Sequence, residues 1–198
     1  PSHSAASHLA SALRSYLRYR AFCGDSVTAL GAVISSPVQW KLSTLPHALK
    51  PDEVQRLLAA FPYGRNPRRG YAIVRCALDM GLRAGEIANL SIDDIDWREG
   101  TVMLKGTKSR RQDILPLPMS AGQALADYLQ HERPASASRR LFLCRRESSD
   151  IPITPDVVQS VIRRACQRAG LPGTGSHVLR HTLACRLVEN GGSLKEVA

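Results

Sequence analysis

Apolar residues recur at three- and four-residue spacing along most of the chain and at two-residue spacing along one central stretch. Leu9, Leu13, Tyr16, Leu17 and Arg20 fall at helical spacing and predict a helix from about Ser7 to Phe22, interrupted by Gly24-Asp25. A weaker helix is expected over Val27 to Ile34. Ser35-Ser36-Pro37 and Ser43-Thr44-Leu45-Pro46 are linker-like and place a domain boundary between about Pro37 and Ala48. Pro51 with Asp52 and Glu53 opens the next helix, because Pro suits a first turn and acids suit the positive end of the helix dipole. Leu57, Leu58 and Phe61 are its apolar face. Pro62 stops it, and Arg65-Asn66-Pro67-Arg68-Arg69 reads as a basic loop before a helix over Tyr71 to Met80.

Gly81-Leu82 breaks the period, and a short helix follows over Arg83 to Leu90. The period then becomes two: Ile95 and Trp97, Thr101 to Leu104, a Gly- and Lys-rich turn, and Ile114 to Leu117 predict a small antiparallel sheet. Helix returns over Ala121 to His131, and Leu141 to Cys144 reads as a short strand or buried extended piece. Thr154 caps a helix running to about Ala169, ended by Gly170. A last helix runs from Ser176 to Asn190, with Leu179, Leu183 and Leu187 expected against the core. The fold class is α+β, mostly helical. The division expected is a helical segment and linker over residues 1–40 and a larger domain over 41–198.

Composition narrows the function. The chain has 198 residues, 43% hydrophobic and 22% charged, which is ordinary for a soluble globular protein with a real core. It carries no apolar run of membrane-spanning length and no signal segment, so the cytoplasm is the expected location. A net charge of +10 points to a polyanionic partner. The cations are spread along the chain rather than gathered on one amphipathic helix, which favours nucleic acid over a membrane. RNA is disfavoured, since aromatics are only 5% and no aromatic-rich strand offers base stacking. The 5 cysteines are odd in number and widely spaced with no Cys-x-x-Cys, so neither a zinc site nor a disulfide framework is expected, only buried reduced thiols. The first residue is not Met, and Leu194-Lys195-Glu196-Val197-Ala198 reads as a helix beginning, so the chain is expected to be a piece of a longer protein.

Three clusters can carry chemistry. In Gly81-Leu82-Arg83-Ala84-Gly85-Glu86-Ile87, an arginine stands at a helix start and Glu86 follows three residues on, on the same face. The carboxylate can orient the guanidinium; a surface ion pair of little weight is the plainer alternative. Lys105-Gly106-Thr107-Lys108-Ser109-Arg110-Arg111 places cations at a hairpin tip, suited to a phosphodiester backbone or simply to water. In His177-Val178-Leu179-Arg180-His181, His177 and Arg180 share a helix face, with Ser176 or Thr174 available as a cap, while His181 reads as a core or supporting histidine. Two arginines, a lysine and a histidine are groups that can hold a phosphodiester and stabilise charge at phosphorus. No dense Asp/Glu/His set accompanies them, and Asp93, Asp94 and Asp96 read as a solvated, turn-forming patch rather than a metal site.

Gly-Leu-Arg-x-x-Glu-Ile, then Lys-Gly-x-Lys on a hairpin, then His-x-x-Arg-His, in this order, resembles the tyrosine recombinase or phage integrase family over about Leu45 to Ala198. The resemblance implies a recombinase catalytic domain (the DNA breaking-rejoining fold), preceded by the end of a helical core-binding domain that completes a clamp on DNA. It implies Arg83 as first catalytic arginine, Glu86 as its supporting acid, and Lys105 as proton donor to the leaving 5′ oxygen, with Lys108 as its rival. His177 and Arg180 complete the set. Lys108, Arg110, Arg111, Arg65, Arg68 and Arg69 are expected to contact the DNA backbone.

The resemblance implies site-specific integration or recombination of double-stranded DNA through a 3′-phosphotyrosyl link, with no metal or cofactor. It implies a homo-tetramer on DNA for the full-length protein and a monomer for this stretch alone. It also places the attacking tyrosine after the His-Arg box, whereas Tyr16, Tyr19, Tyr63, Tyr71 and Tyr128 all precede it, so this stretch by itself is expected to be inactive. The alternative is a non-catalytic DNA-binding protein on a recombinase scaffold.

Overall fold

A computed structural model describes residues 3–34, 48–61, 66–105, 113–146, 149–171 and 173–192. The chain divides into two compact units, Pro1–Leu45 and Pro46–Ala198. The first is a pair of helices, α1 (His3–Phe22) and α2 (Thr28–Val33). Arg14 Nη2 donates to the Ile34 carbonyl at 2.8 Å and fastens the end of α2 back onto α1. Arg20, read by spacing onto the apolar face, instead pairs with Asp25 and donates to the Tyr16 hydroxyl at 3.0 Å.

The second unit is built around α4 (Pro67–Asp79). Ala72, Ile73, Val74, Cys76, Ala77 and Leu78 are all fully buried and form a broad apolar face that neighbours cover, while Arg75 and Asp79 pair with each other on the remaining side at 3.2 Å. Those neighbours are α6 (Met119–His131), α7 (Pro155–Arg168) and α8 (Ser176–Glu189). Small residues permit the close approach: a Cβ on Gly70 would lie 2.9 Å from Phe61 Cε1. Ahead of α4 lies α3 (Pro51–Ala59), where Glu53 accepts a hydrogen bond from Lys50 N at 2.8 Å and satisfies one of the free N–H groups of the helix start.

After the short α5 (Ala84–Asn89) and a 3-10 turn at Ile92–Asp94, the chain forms an antiparallel sheet in the order β1 (Ile95–Asp96), β2 (Thr101–Leu104), β3 (Asp113–Pro116). Ile95 pairs with Val102, and Val102 with Leu115. Val102 and Leu104 turn into the core, as alternation requires. A separate hairpin joins β4 (Leu143–Arg146) to β5 (Ser149–Pro152). The fold is therefore mostly helical α+β, and no described helix is long and apolar enough to cross a membrane.

Several expectations need correction. Leu141 to Cys144, read as a short strand or a buried extended piece, is each in turn: the strand starts only at Leu143, and its pairing with β5 is what the sequence pattern did not suggest. Leu141 and Phe142 are fully buried, and Phe142 stacks on Tyr128 with centroids 5.3 Å apart. Helix α4 begins at Pro67, not Tyr71, because Glu132 at the end of α6 reaches its first turn: Arg68 N and Arg69 N donate to the two Glu132 carboxylate oxygens at 2.9 and 3.0 Å. A carboxylate there meets both the orphan donors and the positive dipole end. Leu179 is buried as expected, whereas Leu187 is exposed. Of the cysteines, Cys76 and Cys166 are buried, but Cys144 and Cys185 are only partly covered and Cys23 is exposed.

Candidate functional site

Arg83 owes its position to a backbone break. Gly81 takes a φ of +65°, which ends α4, and Leu82 follows it into the core with its N–H on the Cys76 carbonyl at 3.3 Å. A residue with a side chain would be strained in that conformation. Arg83 then stands at the cap position of α5 in an extended conformation. Glu86 binds it twice: Oε2 accepts from Arg83 N at 2.7 Å, and Oε1 accepts from Arg83 Nη1 at 2.8 Å. The Arg83 side chain is 63% exposed while that of Glu86 is mostly covered, so a covered carboxylate anchors an exposed arginine.

Arg180 approaches the same turn from α8. Its Nη1 donates to the Gly81 carbonyl at 2.7 Å, two residues before Arg83. Helix α8 is held there by Thr182, which is buried, accepts from Leu49 N at 2.9 Å and donates to the Val178 carbonyl at 2.8 Å. His177 lies one turn before Arg180 and is exposed. The cap expected from Ser176 or Thr174 is not formed: Gly175 occupies the cap position with no side-chain hydrogen bond. His181 is partly covered, with Nε2 at 3.5 Å from Cys185 Sγ.

Lys105 follows β2 directly. Its Nζ donates to Asp94 Oδ1 at 2.5 Å, and Asp94 Oδ2 accepts from Ser91 N at 2.9 Å. The Asp94 side chain is 5% exposed, so the expectation of a solvated acidic patch fails for this residue. A buried carboxylate persists only where such partners replace water. Asp93 does face solvent, paired with Arg139, whose guanidinium holds its carboxyl below the usual range. Asp96 forms the turn as expected, accepting from Arg98 N and Glu99 N, each at 2.9 Å.

A cavity of about 490 Å³ is lined by Glu86, Asp94, Met103, Lys105, Arg139 and Arg140, among others. The structure thus sets Arg83, Glu86 and Arg180 about one turn, and sets Glu86 and Lys105 on one cavity. Arg139 and Arg140 were not singled out from sequence. They reach the cavity because Ile92 N donates to the Arg139 carbonyl and Leu141 N to the Leu90 carbonyl, at 2.9 and 2.8 Å. Arg140 also donates to the Asn89 carbonyl. A basic pair just ahead of the apolar run Leu141-Phe142-Leu143 was the one signal available.

The expected backbone-contacting residues divide. Lys108, Arg110, Arg111 and Arg65 lie outside the described residues. Arg68 and Arg69 stand on the first turn of α4 rather than on a loop, and both are engaged within the fold. Arg68 Nε pairs with Asp127 at 2.9 Å, and Arg69 Nη1 donates to the Leu143 carbonyl at 2.5 Å. Among the described residues no group of three or more His, Cys, Asp or Glu is arranged to hold a metal.

Comparison with known proteins shows the family to which the chain is similar. The pattern of the phage integrase family matches residues 47–198. An integrase/recombinase of Sinorhizobium fredii, y4rA, is 39% identical over 194 residues, covering 94% of this chain and 46% of that protein. The tyrosine recombinase XerA of Thermococcus kodakarensis is 32% identical over 154 residues, 78% of this chain and 53% of its own length. The chain thus spans about half the length of these curated relatives. A crystal structure of XerA recombinase superposes with a TM-score of 0.67 at 29% identity, over 78% of this chain and 55% of that one. A lambda integrase dimer bound to a core site gives 0.76 at 17% identity, over 98% and 70%, which is a likeness of fold.

Proposed function

Because the chain belongs to the phage integrase family, we propose that it is the catalytic part of a tyrosine-type site-specific DNA recombinase, acting on double-stranded DNA in the cytoplasm. The observation that supports this most is the turn at Gly81, where Arg180 is fastened two residues from Arg83 and Arg83 is oriented by Glu86. Two guanidiniums at one turn offer planar forks to the non-bridging oxygens of a phosphodiester. Lys105, on the cavity that Glu86 also lines, is the candidate for the leaving oxygen.

In the proposed step a tyrosine oxygen attacks phosphorus and the bond from phosphorus to the 5′ oxygen breaks. Lys105 gives that oxygen a proton, and the tyrosine's proton passes to a base, for which the exposed His177 is the candidate. Arg83 and Arg180 hold the charge that builds on the phosphoryl oxygens. The reaction reverses when a 5′ hydroxyl of a partner strand attacks the 3′-phosphotyrosyl link.

The tyrosine is proposed to come from outside these 198 residues. Among the described tyrosines, Tyr128 is 1% exposed and its burial raises its pKa. Tyr71 packs edge-on against Phe61, and Tyr16, Tyr19 and Tyr63, like Tyr71 and Tyr128, precede His177 and Arg180 in the chain. Work on DNA as a tetramer is part of the same proposal.

The test is a covalent adduct. The intact protein, incubated with DNA it binds, is expected to form a detergent-resistant protein–DNA link, and Arg180→Ala is expected to abolish it. Absence of any adduct, or an undiminished one in Arg180→Ala, would overturn the catalytic reading in favour of a DNA-binding protein.

A further inference from the structure

The Asp94 carboxylate is a buried charge with two partners, and one of them is Lys105. It arises from the local fold. The 3-10 turn Ile92–Asp94 takes Ser91 as its cap, so Asp94 Oδ2 is bound by Ser91 N at 2.9 Å. The chain then enters β1, and the pairing of Ile95 with Val102 sets the end of β2 beside the turn. Lys105, one residue past β2, therefore arrives with its Nζ on Asp94 Oδ1 at 2.5 Å. The carboxylate is 5% exposed and the lysine 57%, so the acid is fixed and the base reaches outward from it. Both line the cavity that Glu86 shares.

A lysine side chain is long and loses much rotamer freedom when it is held in one place. An ammonium has three N–H donors. A rigid buried carboxylate that takes one of them fixes the nitrogen and leaves two for other acceptors. We propose that Asp94 is a positioning residue for Lys105, holding its Nζ at the cavity so that it protonates the departing 5′ oxygen. This rests on the reading of Lys105 as proton donor. Asp94 itself touches neither the phosphate nor the leaving group.

The test separates the two claims. A duplex that the intact protein cleaves is first recovered from a random-sequence pool as its covalent adduct. It is then synthesised with either oxygen or sulfur at the 5′ bridging position of the scissile linkage. A thiolate leaves without needing a proton, so sulfur restores cleavage only where proton donation was the defect. Asp94→Asn is expected to slow cleavage of the oxygen duplex by roughly 10²-fold and to cleave the sulfur duplex within about tenfold of the unmodified protein. In a Lys105→Ala background it is expected to cost little more.

If Lys105→Ala is not rescued by sulfur, the proton-donor reading falls and this inference falls with it. If Lys105→Ala is rescued but Asp94→Asn is not, the positioning role alone is overturned. It is equally overturned if Asp94→Asn cleaves the oxygen duplex at full rate or faster, or costs as much without Lys105 as with it. Should Asp94→Asn fail to fold, Asp94→Glu, which keeps the charge but moves it by one methylene, goes through the same two duplexes with the same readings.

Discussion

Arg180 Nη1 binds the carbonyl of Gly81 at 2.7 Å, joining positions 99 residues apart in the chain. The acceptor sits on a backbone that only glycine adopts at ease, with φ at +65°. A Cβ there would lie 3.0 Å from Leu183 Cδ2 on α8. Gly81→Ala is therefore expected to cost about 1–2 kcal/mol from backbone strain and to make the Leu183 side chain give way. Thermal unfolding should show a loss of roughly 2–4 °C per kcal/mol. An unchanged Tm would mean that the turn relaxes freely.

Thr182 ties the same helix to the chain ahead of α3. Its hydroxyl is the acceptor for Leu49 N at 2.9 Å, and both residues are buried. Thr182→Val keeps the shape but leaves that N–H without an acceptor, at a cost of about 1–3 kcal/mol. Urea denaturation should report it as a lower midpoint at unchanged slope.

Glu86 serves Arg83 twice, through its backbone and through its guanidinium. Glu86→Gln retains an acceptor for the backbone N–H, so stability should hold within about 0.5 kcal/mol. The guanidinium loses its charged partner, and adduct formation by the intact protein is expected to fall by about one order of magnitude. Equal cleavage by Glu86→Gln and the unmodified protein would remove Glu86 from the site.

Two buried thiols make stability fall at high pH. Burial pushes Cys76 up to about 12 and Cys166 up to about 11, from a reference of 9.0. Folding therefore keeps protons that the unfolded chain releases above pH 9. The stability contribution is complete below that pH and is lost as pH rises, up to about 11 for Cys166 and about 12 for Cys76, at about 1.4 kcal/mol per unit for each thiol. Denaturant midpoints measured between pH 8 and 10.5 check this, and Cys76→Ala with Cys166→Ala should flatten the decline. In native protein at pH 8, a thiol reagent should modify the exposed Cys23 first and spare Cys76 and Cys166.

A net charge of +10 should express itself in DNA binding that weakens steeply with salt, as cations replace counterions along the backbone. Titrations of the intact protein with duplex DNA at increasing salt should give a linear log–log plot of strongly negative slope. A flat plot would remove backbone tracking as the mode of binding.

What the sequence by itself determined is local. Helical spacing, a glycine that ends a helix, acids at a first turn and alternation in β2 each act over a few residues. They placed nearly every helix and brought Arg83, Glu86, Lys105, His177 and Arg180 into view as three ordered clusters. Tertiary structure decided what depends on segments far apart. Asp94 is buried because β1 and β2 pair in one register, and no pattern around Asp93-Asp94 distinguished the covered acid from the exposed one. Arg68 and Arg69 lie in a helix rather than a loop because Glu132, more than sixty residues on, accepts their N–H groups. Arg139 and Arg140 reach the cavity through hydrogen bonds to α5 and to the turn after it. Burial and distant partners arise from packing, whose free energy belongs to the whole unit, whereas propensity and capping belong to a handful of neighbouring residues.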